Sequence, residues 1–172
     1  MLVTLLAPVA LAAAADRPGS DTPAGRLGDL RAAGTVELRT SCRPEAQATF
    51  DRATALLHSF FYEEARRGFA EVGEKDPGCA MAHWGVAMTL WHPIWTPPTP
   101  EEKEAGRKAI GRARAIGGRT DVERGLIGAL SAFYADPPAD AAAVGGEAGQ
   151  SCHGLTGGAD HAARALAYEQ AM

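Results

Sequence analysis

Hydrophobic positions recur every three to four residues along the chain from Pro44 onward, and this spacing predicts amphipathic helices. Phe50, Ala53 and Leu57 form the first apolar stripe. A second stripe follows within residues 61–78, where an Asp-Pro-Gly turn ends it. The pattern therefore predicts two consecutive helices that fold back on each other as a hairpin.

The segments 45–58 and 79–92 are similar to each other at an offset of 34 residues. The identical pairs are Ala46/Ala80, Ala48/Ala82, Ala53/Ala87, Leu56/Leu90 and His58/His92. Large apolar residues also coincide, because Phe50 and Leu57 correspond to Trp84 and Trp91. A helical repeat of this period predicts that the hairpin recurs along the chain.

At these positions the chain resembles the tetratricopeptide repeat (TPR) family, whose unit is a helix-turn-helix of 34 residues closed by a proline. The matching residues are Ala53, Leu56, Tyr62, Ala65, Phe69 and Pro77 in the first unit and Trp84, Ala87 and Leu90 in the second. The resemblance extends over residues 44–135 and is greatest to exported bacterial repeat proteins. It implies an all-α solenoid of two to three hairpins.

The apolar stripes and the resemblance to the repeat family together imply which residues form the core of the repeats. Those residues are Phe50, Ala53, Leu57, Tyr62, Ala65, Phe69, Pro77, Trp84, Ala87, Trp91, Ala109 and Phe133.

Two later helices carry start signals in the sequence. Thr99 with Glu102, and Thr120 with Glu123, have the spacing of a capping box, in which each side chain accepts a hydrogen bond from the other residue's backbone N–H. Residues 136–158 are rich in Pro, Gly and Ala without periodicity, and they are interpreted as a loop insertion in a repeat domain that spans 43–172.

A last helix is expected from Asp160 to Met172, with no polar closing helix after it. Because a solenoid needs a terminal element to cover its last apolar face, the sequence is expected to be a fragment of a longer repeat array.

The N-terminal part has a different composition from the repeats. Residues 1–15 form an apolar run that ends in small residues, which predicts an export signal, and an apolar helix that docks on the domain is the alternative. Residues 16–42 are predicted to be a flexible lead-in. The mature chain is therefore expected to be exported, with a periplasmic or other extracytoplasmic location and no transmembrane span.

If the chain is exported to an oxidising compartment, two of its three cysteines can form a disulfide. Cys42 precedes the first helix of unit one, and Cys79 begins the first helix of unit two. Since these helices are expected to lie side by side and parallel, both cysteines come to the same end and a disulfide between them is predicted.

Residues 79–92 combine two tryptophans with two histidines. Trp84, Met88 and Trp91 fall on one helix face, and apolar residues cover most of the rest, so the segment is predicted to be a buried helix. An aromatic ligand pocket is the alternative interpretation.

Histidine and the remaining cysteine supply the candidate metal ligands. His58 and His92 occupy equivalent repeat positions, and donation to the last carbonyls of a helix is the simpler role for them. Cys152, His153 and His161 could bind zinc or copper, and a solvated loop is the alternative. No CxxC, HExxH or CxxCH motif occurs.

The net charge of −4 and the isoelectric point near 5.7 argue against a nucleic-acid partner. The resemblance implies a non-catalytic scaffold that binds a protein or peptide, without a cofactor. A metal-handling or redox-linked helical domain that uses the candidate histidines and cysteines is the alternative function, and an accessory domain of an enzyme is a third interpretation.

Overall fold

The computed structural model describes residues 34–92, 96–136 and 158–172. Within these residues the chain forms six helices and no strand, so the predicted all-α class is confirmed. The helices are α1 Pro44–His58, α2 Tyr62–Lys75, α3 Ala80–Met88, α4 Pro100–Ile116, α5 Asp121–Tyr134 and α6 Gly158–Ala171. The predicted export signal and residues 137–157 of the predicted loop insertion lie outside the described residues.

Neighbouring helices pack as three hairpins. α1 contacts α2, α3 contacts α4, and α5 contacts α6. Consecutive hairpins meet through α2 with α3 and α4 with α5, and the first helices of the hairpins also touch, α1 with α3 and α3 with α5. One continuous core therefore runs from the first hairpin to the third.

The residues predicted for the repeat core are buried, with two exceptions. Buried members are Phe50, Ala53, Leu57, Ala65, Phe69, Trp84, Ala87, Trp91, Ala109 and Phe133. Tyr62 is half-buried, and it packs against the core.

Pro77 is exposed, so its placement in the core was wrong. The residue follows the end of α2 in a tight turn, in which the Cys79 N–H donates to the Asp76 carbonyl at 2.9 Å. Proline suits this position because it lacks a backbone N–H, and its ring remains at the surface.

Aromatic rings pack against glycines where consecutive hairpins meet. Phe69 of α2 lies against Gly85 of α3, and a Cβ atom built on Gly85 would come within 2.2 Å of that ring. Tyr134 of α5 lies equally close to Gly106 of α4. Because only glycine leaves this space, the rings can approach the neighbouring backbone and close both junctions.

The two predicted capping boxes are present. Thr99 accepts from the Glu102 N–H at 3.2 Å, and Thr120 accepts from the Glu123 N–H at 3.1 Å, while each glutamate accepts in return. α4 ends at Gly117, whose φ of 84° lies in the left-handed region that glycine adopts without strain.

α3 ends earlier than the repeat pattern predicts. It stops at Met88, four residues before His92, whereas α1 continues to His58. The Thr89 hydroxyl donates to the Val86 carbonyl at 2.7 Å, and residues 89–91 continue as a buried turn. His58 and His92 therefore do not hold equivalent helix-end positions.

None of the helices that the structure describes is both long enough and apolar enough to cross a bilayer.

Candidate functional site

The start of the first hairpin is bonded to the start of the second. Cys42 and Cys79 form the predicted disulfide, with their Cα atoms 4.9 Å apart. Cys79 is the residue that precedes α3, and Cys42 lies two residues before α1. This disulfide is compatible with an oxidising, extracytoplasmic location.

Asp76 joins the same region from the turn after α2. Its carboxylate accepts hydrogen bonds from the Arg43 N–H at 2.9 Å and the Gly78 N–H at 3.1 Å. The carboxylate and the two sulfurs form the one group with metal-ligand spacing found among the described residues. Because the sulfurs are bonded to each other, they are not thiolates, the form of cysteine that ligates metal ions.

A buried glutamate connects the chain before α1 to the third hairpin. Glu123, 2% exposed, accepts from the Ser41 N–H at 2.6 Å, from the Ser41 hydroxyl at 2.8 Å and from the Arg119 N–H at 2.7 Å. Burial raises the pKa of Glu123, but these hydrogen bonds and one from the Thr120 N–H together leave it below its ordinary value. The carboxylate is therefore stabilised in its charged form.

The segment 38–42, here called the docked lead-in, lies against α1. Gln47 of α1 donates from Nε2 to the Leu38 carbonyl at 2.9 Å. Its Oε1 accepts from the Thr40 N–H at 3.1 Å and from the Thr40 hydroxyl at 2.8 Å. One side-chain amide thus binds the carbonyl of one residue and the N–H of the residue two positions later.

Asp51, one turn further along α1, fixes this amide. It accepts a second hydrogen bond from Gln47 Nε2 at 2.8 Å. Leu38 is half-buried and packs against the core, so the docked lead-in has an apolar contact as well as polar ones.

No local sequence signal marks the docked lead-in. Residues 16–42 were expected to be flexible, whereas the described end of this segment makes hydrogen bonds to α1 and to the start of α5. The contact from Ser41 to Glu123 joins residues 82 positions apart. The predicted disulfide between Cys42 and Cys79 was the one indication that residues before α1 would be held against the helices.

None of the candidate metal ligands belongs to the group of three ligand side chains with metal-ligand spacing found among the described residues. His58 is exposed at the end of α1, and the ring centroid of His92 lies 4.7 Å from that of Tyr62. His161 packs edge-on against Phe133 at 5.9 Å, and its pKa is lowered, chiefly by burial. Cys152 and His153 lie outside the described residues.

Trp84 and Trp91 are 5% and 6% exposed, and both lie in the core. The Trp91 ring centroid is 4.4 Å from that of Phe133 and 4.6 Å from that of Tyr168. Neither indole N–H has a hydrogen-bond partner within the residues that the structure describes. Aromatic packing between hairpins therefore accounts for the position of Trp91.

No protein-family model, curated protein or solved structure matches the chain.

Proposed function

We propose that this protein is a TPR-like scaffold that binds an extended peptide on the first helix of its first hairpin. The packing order supports the repeat arrangement, because every hairpin contacts the next one and the first helices touch in sequence. Stacked helix hairpins of this kind expose elongated surfaces that suit peptide ligands.

The Gln47 amide is the observation that carries the proposal. It donates to one backbone carbonyl and accepts from the N–H two residues later, as a neighbouring strand would, and it therefore recognises the extended backbone itself. The Asp51 carboxylate orients the amide by accepting from its Nε2. A peptide from a partner protein can form the same pair of hydrogen bonds once the docked lead-in leaves.

The docked lead-in competes with any such peptide. It is part of the same chain, so its effective concentration at α1 is in the millimolar range by the usual estimate for short connections. A peptide added from solution is consequently expected to bind the unaltered protein weakly.

Substitution of Thr40 tests the proposal in the whole chain. Thr40→Pro removes the N–H and the hydroxyl that donate hydrogen bonds to Gln47 Oε1, which weakens the contact between the docked lead-in and α1. A fluorescent peptide with the sequence GTVELRTS, copied from residues 34–41, should then bind at least about tenfold more tightly than to the unaltered protein, by fluorescence anisotropy.

The double variant Thr40→Pro with Gln47→Ala should lose this gain, whereas Thr40→Pro with Gln170→Ala, which removes an exposed glutamine of α6, should keep it. Equal binding of the peptide by all variants, or no binding by Thr40→Pro while circular dichroism shows it folded, would contradict the proposal.

A further inference from the structure

A cavity of about 490 Å³ lies between α2 and α4 and is lined in part by α3. Its volume is within the range of roughly 300–1,000 Å³ that is typical of small-molecule sites. It has no residue in common with the contacts of the docked lead-in, so what it binds is independent of the function proposed above.

Small residues keep this cavity open. Ala70 and Gly73 line it on α2, and Ala105 and Ala109 line it on α4. A Cβ atom built on Gly73 would meet only the Ala82 Cβ, at 3.6 Å, which is an ordinary contact. The backbones of α2 and α4 thus leave space for larger side chains, but the residues at these positions are alanine and glycine.

The apolar surface of the cavity comes from the core. Phe69 is fully buried, and Val86 of α3 is half-buried beside it. Phe69 is already covered, so a hydrocarbon group that enters the cavity would contact Val86 and the exposed alanines Ala70 and Ala105 and be removed from water.

The polar residues of the cavity are predominantly basic. Lys108 and Arg112 are four apart on α4, so they lie on the same face of that helix, and Glu74 lies on the α2 side. Lys108 pairs with Glu104, outside the cavity lining, at 3.4 Å. Arg112 takes part in no ion pair within the described residues, and the same holds for Glu74.

His83 of α3 lies between these walls. Burial, and secondly the charge of Arg112, lower its pKa, so the imidazole is neutral at neutral pH. A neutral imidazole can donate one hydrogen bond to a ligand oxygen and adds no positive charge to the cavity.

We infer that this cavity binds a small organic carboxylate with a hydrocarbon chain. The guanidinium of Arg112 matches a carboxylate in shape and can donate two parallel hydrogen bonds, while Lys108 adds a second positive charge. Val86, Ala70 and Ala105 provide the accessible apolar surface for the chain. Because Glu104 already pairs with Lys108, the guanidinium of Arg112, which has no ion pair within the described residues, is the group that favours an anion at this site.

Octanoate is a suitable probe, with 1-octanol and octylammonium as controls of equal chain length. The whole protein is titrated with each compound while the imidazole resonances are followed by NMR, and His83 is assigned through the His83→Gln variant. Octanoate should bind at one site per chain and shift the His83 resonances, and both controls should bind at least about tenfold more weakly, as expected when a charge-assisted contact is lost.

Two variants locate the site. Arg112→Gln should weaken octanoate binding at least about tenfold, and Gly73→Leu should abolish it by filling the cavity without changing a charge. Arg114→Gln removes an exposed arginine two positions along α4, outside the cavity lining, and should leave binding unchanged. Circular dichroism of each variant verifies that the helices persist.

The inference is overturned if octanoate at about 10 mM leaves the His83 resonances unmoved, since such a site would be weaker than any ordinary ligand site. It is also overturned if octylammonium binds as well as octanoate, or if Arg112→Gln and Gly73→Leu bind like the unaltered protein.

Discussion

Gly85 and Gly106 occupy positions at which a single methyl group would collide with an aromatic ring. The hypothetical Cβ of Gly85 lies 2.2 Å from a carbon of Phe69, and that of Gly106 lies 2.2 Å from Tyr134. Neither ring is the far end of a flexible chain, because Phe69 and Tyr134 are buried. The hairpins would have to separate to admit the methyl group.

Gly85→Ala should therefore lower the free energy of unfolding by about 1–3 kcal/mol, as overpacked core substitutions do. Gly111→Ala is the matched control, because this helical glycine has no atom within 4 Å of its hypothetical Cβ. The control should raise stability by about 0.4–1 kcal/mol through helix propensity. Urea unfolding measures both, and a neutral or stabilising Gly85→Ala would contradict the packing described for this junction.

A second prediction at the scale of residues concerns Glu123, whose contribution to stability is expected to depend on pH. Glu123→Gln should cost about 1.5–3 kcal/mol at pH 7, because the hydrogen bonds from Ser41, Arg119 and Thr120 lose their charged acceptor. The pKa of Glu123 is lowered on folding from its ordinary value of 4.5. Its stabilisation is thus fully present above pH 4.5 and is lost as the pH falls through the lower folded pKa.

Urea unfolding of both proteins at a series of pH values tests this dependence. The difference between them should shrink as the solution becomes more acidic than pH 4.5. Glu102→Gln alters the same capping position on α4, where Thr99 is the one donor to Glu102 among the described residues, and it should cost about 0.5–1 kcal/mol. A pH-independent difference for Glu123→Gln would show that its charge is not what matters.

At the scale of elements, the disulfide fixes the start of α1 to the start of α3. The loop between Cys42 and Cys79 has a sequence separation of 37 residues, for which the chain-entropy estimate is about 3–4 kcal/mol. The double variant Cys42→Ser with Cys79→Ser should be destabilised by about that amount in urea unfolding.

Cys152→Ser is the control for loss of a cysteine, and it should retain the disulfide. Non-reducing peptide mapping should recover Cys42 and Cys79 in one linked peptide from the unaltered protein. Separate peptides with both thiols open to alkylation would refute the pairing.

Most helix positions could be predicted from local sequence because their signals are local. The starts of α4 and α5 follow from capping boxes, and the end of α4 follows from Gly117. The end of α3 could not be predicted, since Leu90 and Trp91 are as apolar as the helix before them and periodicity does not separate a buried turn from a buried helix.

The candidate site was less accessible to sequence reasoning than the helices. The disulfide was predicted because equivalent helix starts bring the cysteines together. The hydrogen bonds from Ser41 to Glu123 and from Gln47 to the docked lead-in depend on how α1, α5 and the segment before α1 are placed in space. Glu123 was identified as a capping residue, and nothing nearby in sequence showed that its carboxylate would also bind Ser41.

For the whole molecule, the docked lead-in adds a connection that hairpin stacking alone does not provide. In a simple repeat array each hairpin contacts only its neighbours. Here Ser41, which precedes the first hairpin, donates a hydrogen bond to Glu123 at the start of the third hairpin. Cys42 forms a disulfide with Cys79 at the start of the second hairpin. The three hairpins are therefore coupled through one short segment as well as through their shared core.

The disulfide also determines how the molecule would bear a mechanical load. A pull applied to the chain before Cys42 passes through the sulfur–sulfur bond to Cys79, so α1 and α2 lie outside the path of the force. The bypassed stretch of 37 residues corresponds to about 12 nm of extended chain that the oxidised protein cannot release. Once the hydrogen bonds of Thr40 and Ser41 have broken, the first hairpin would therefore carry no load, and the second would be the next to resist.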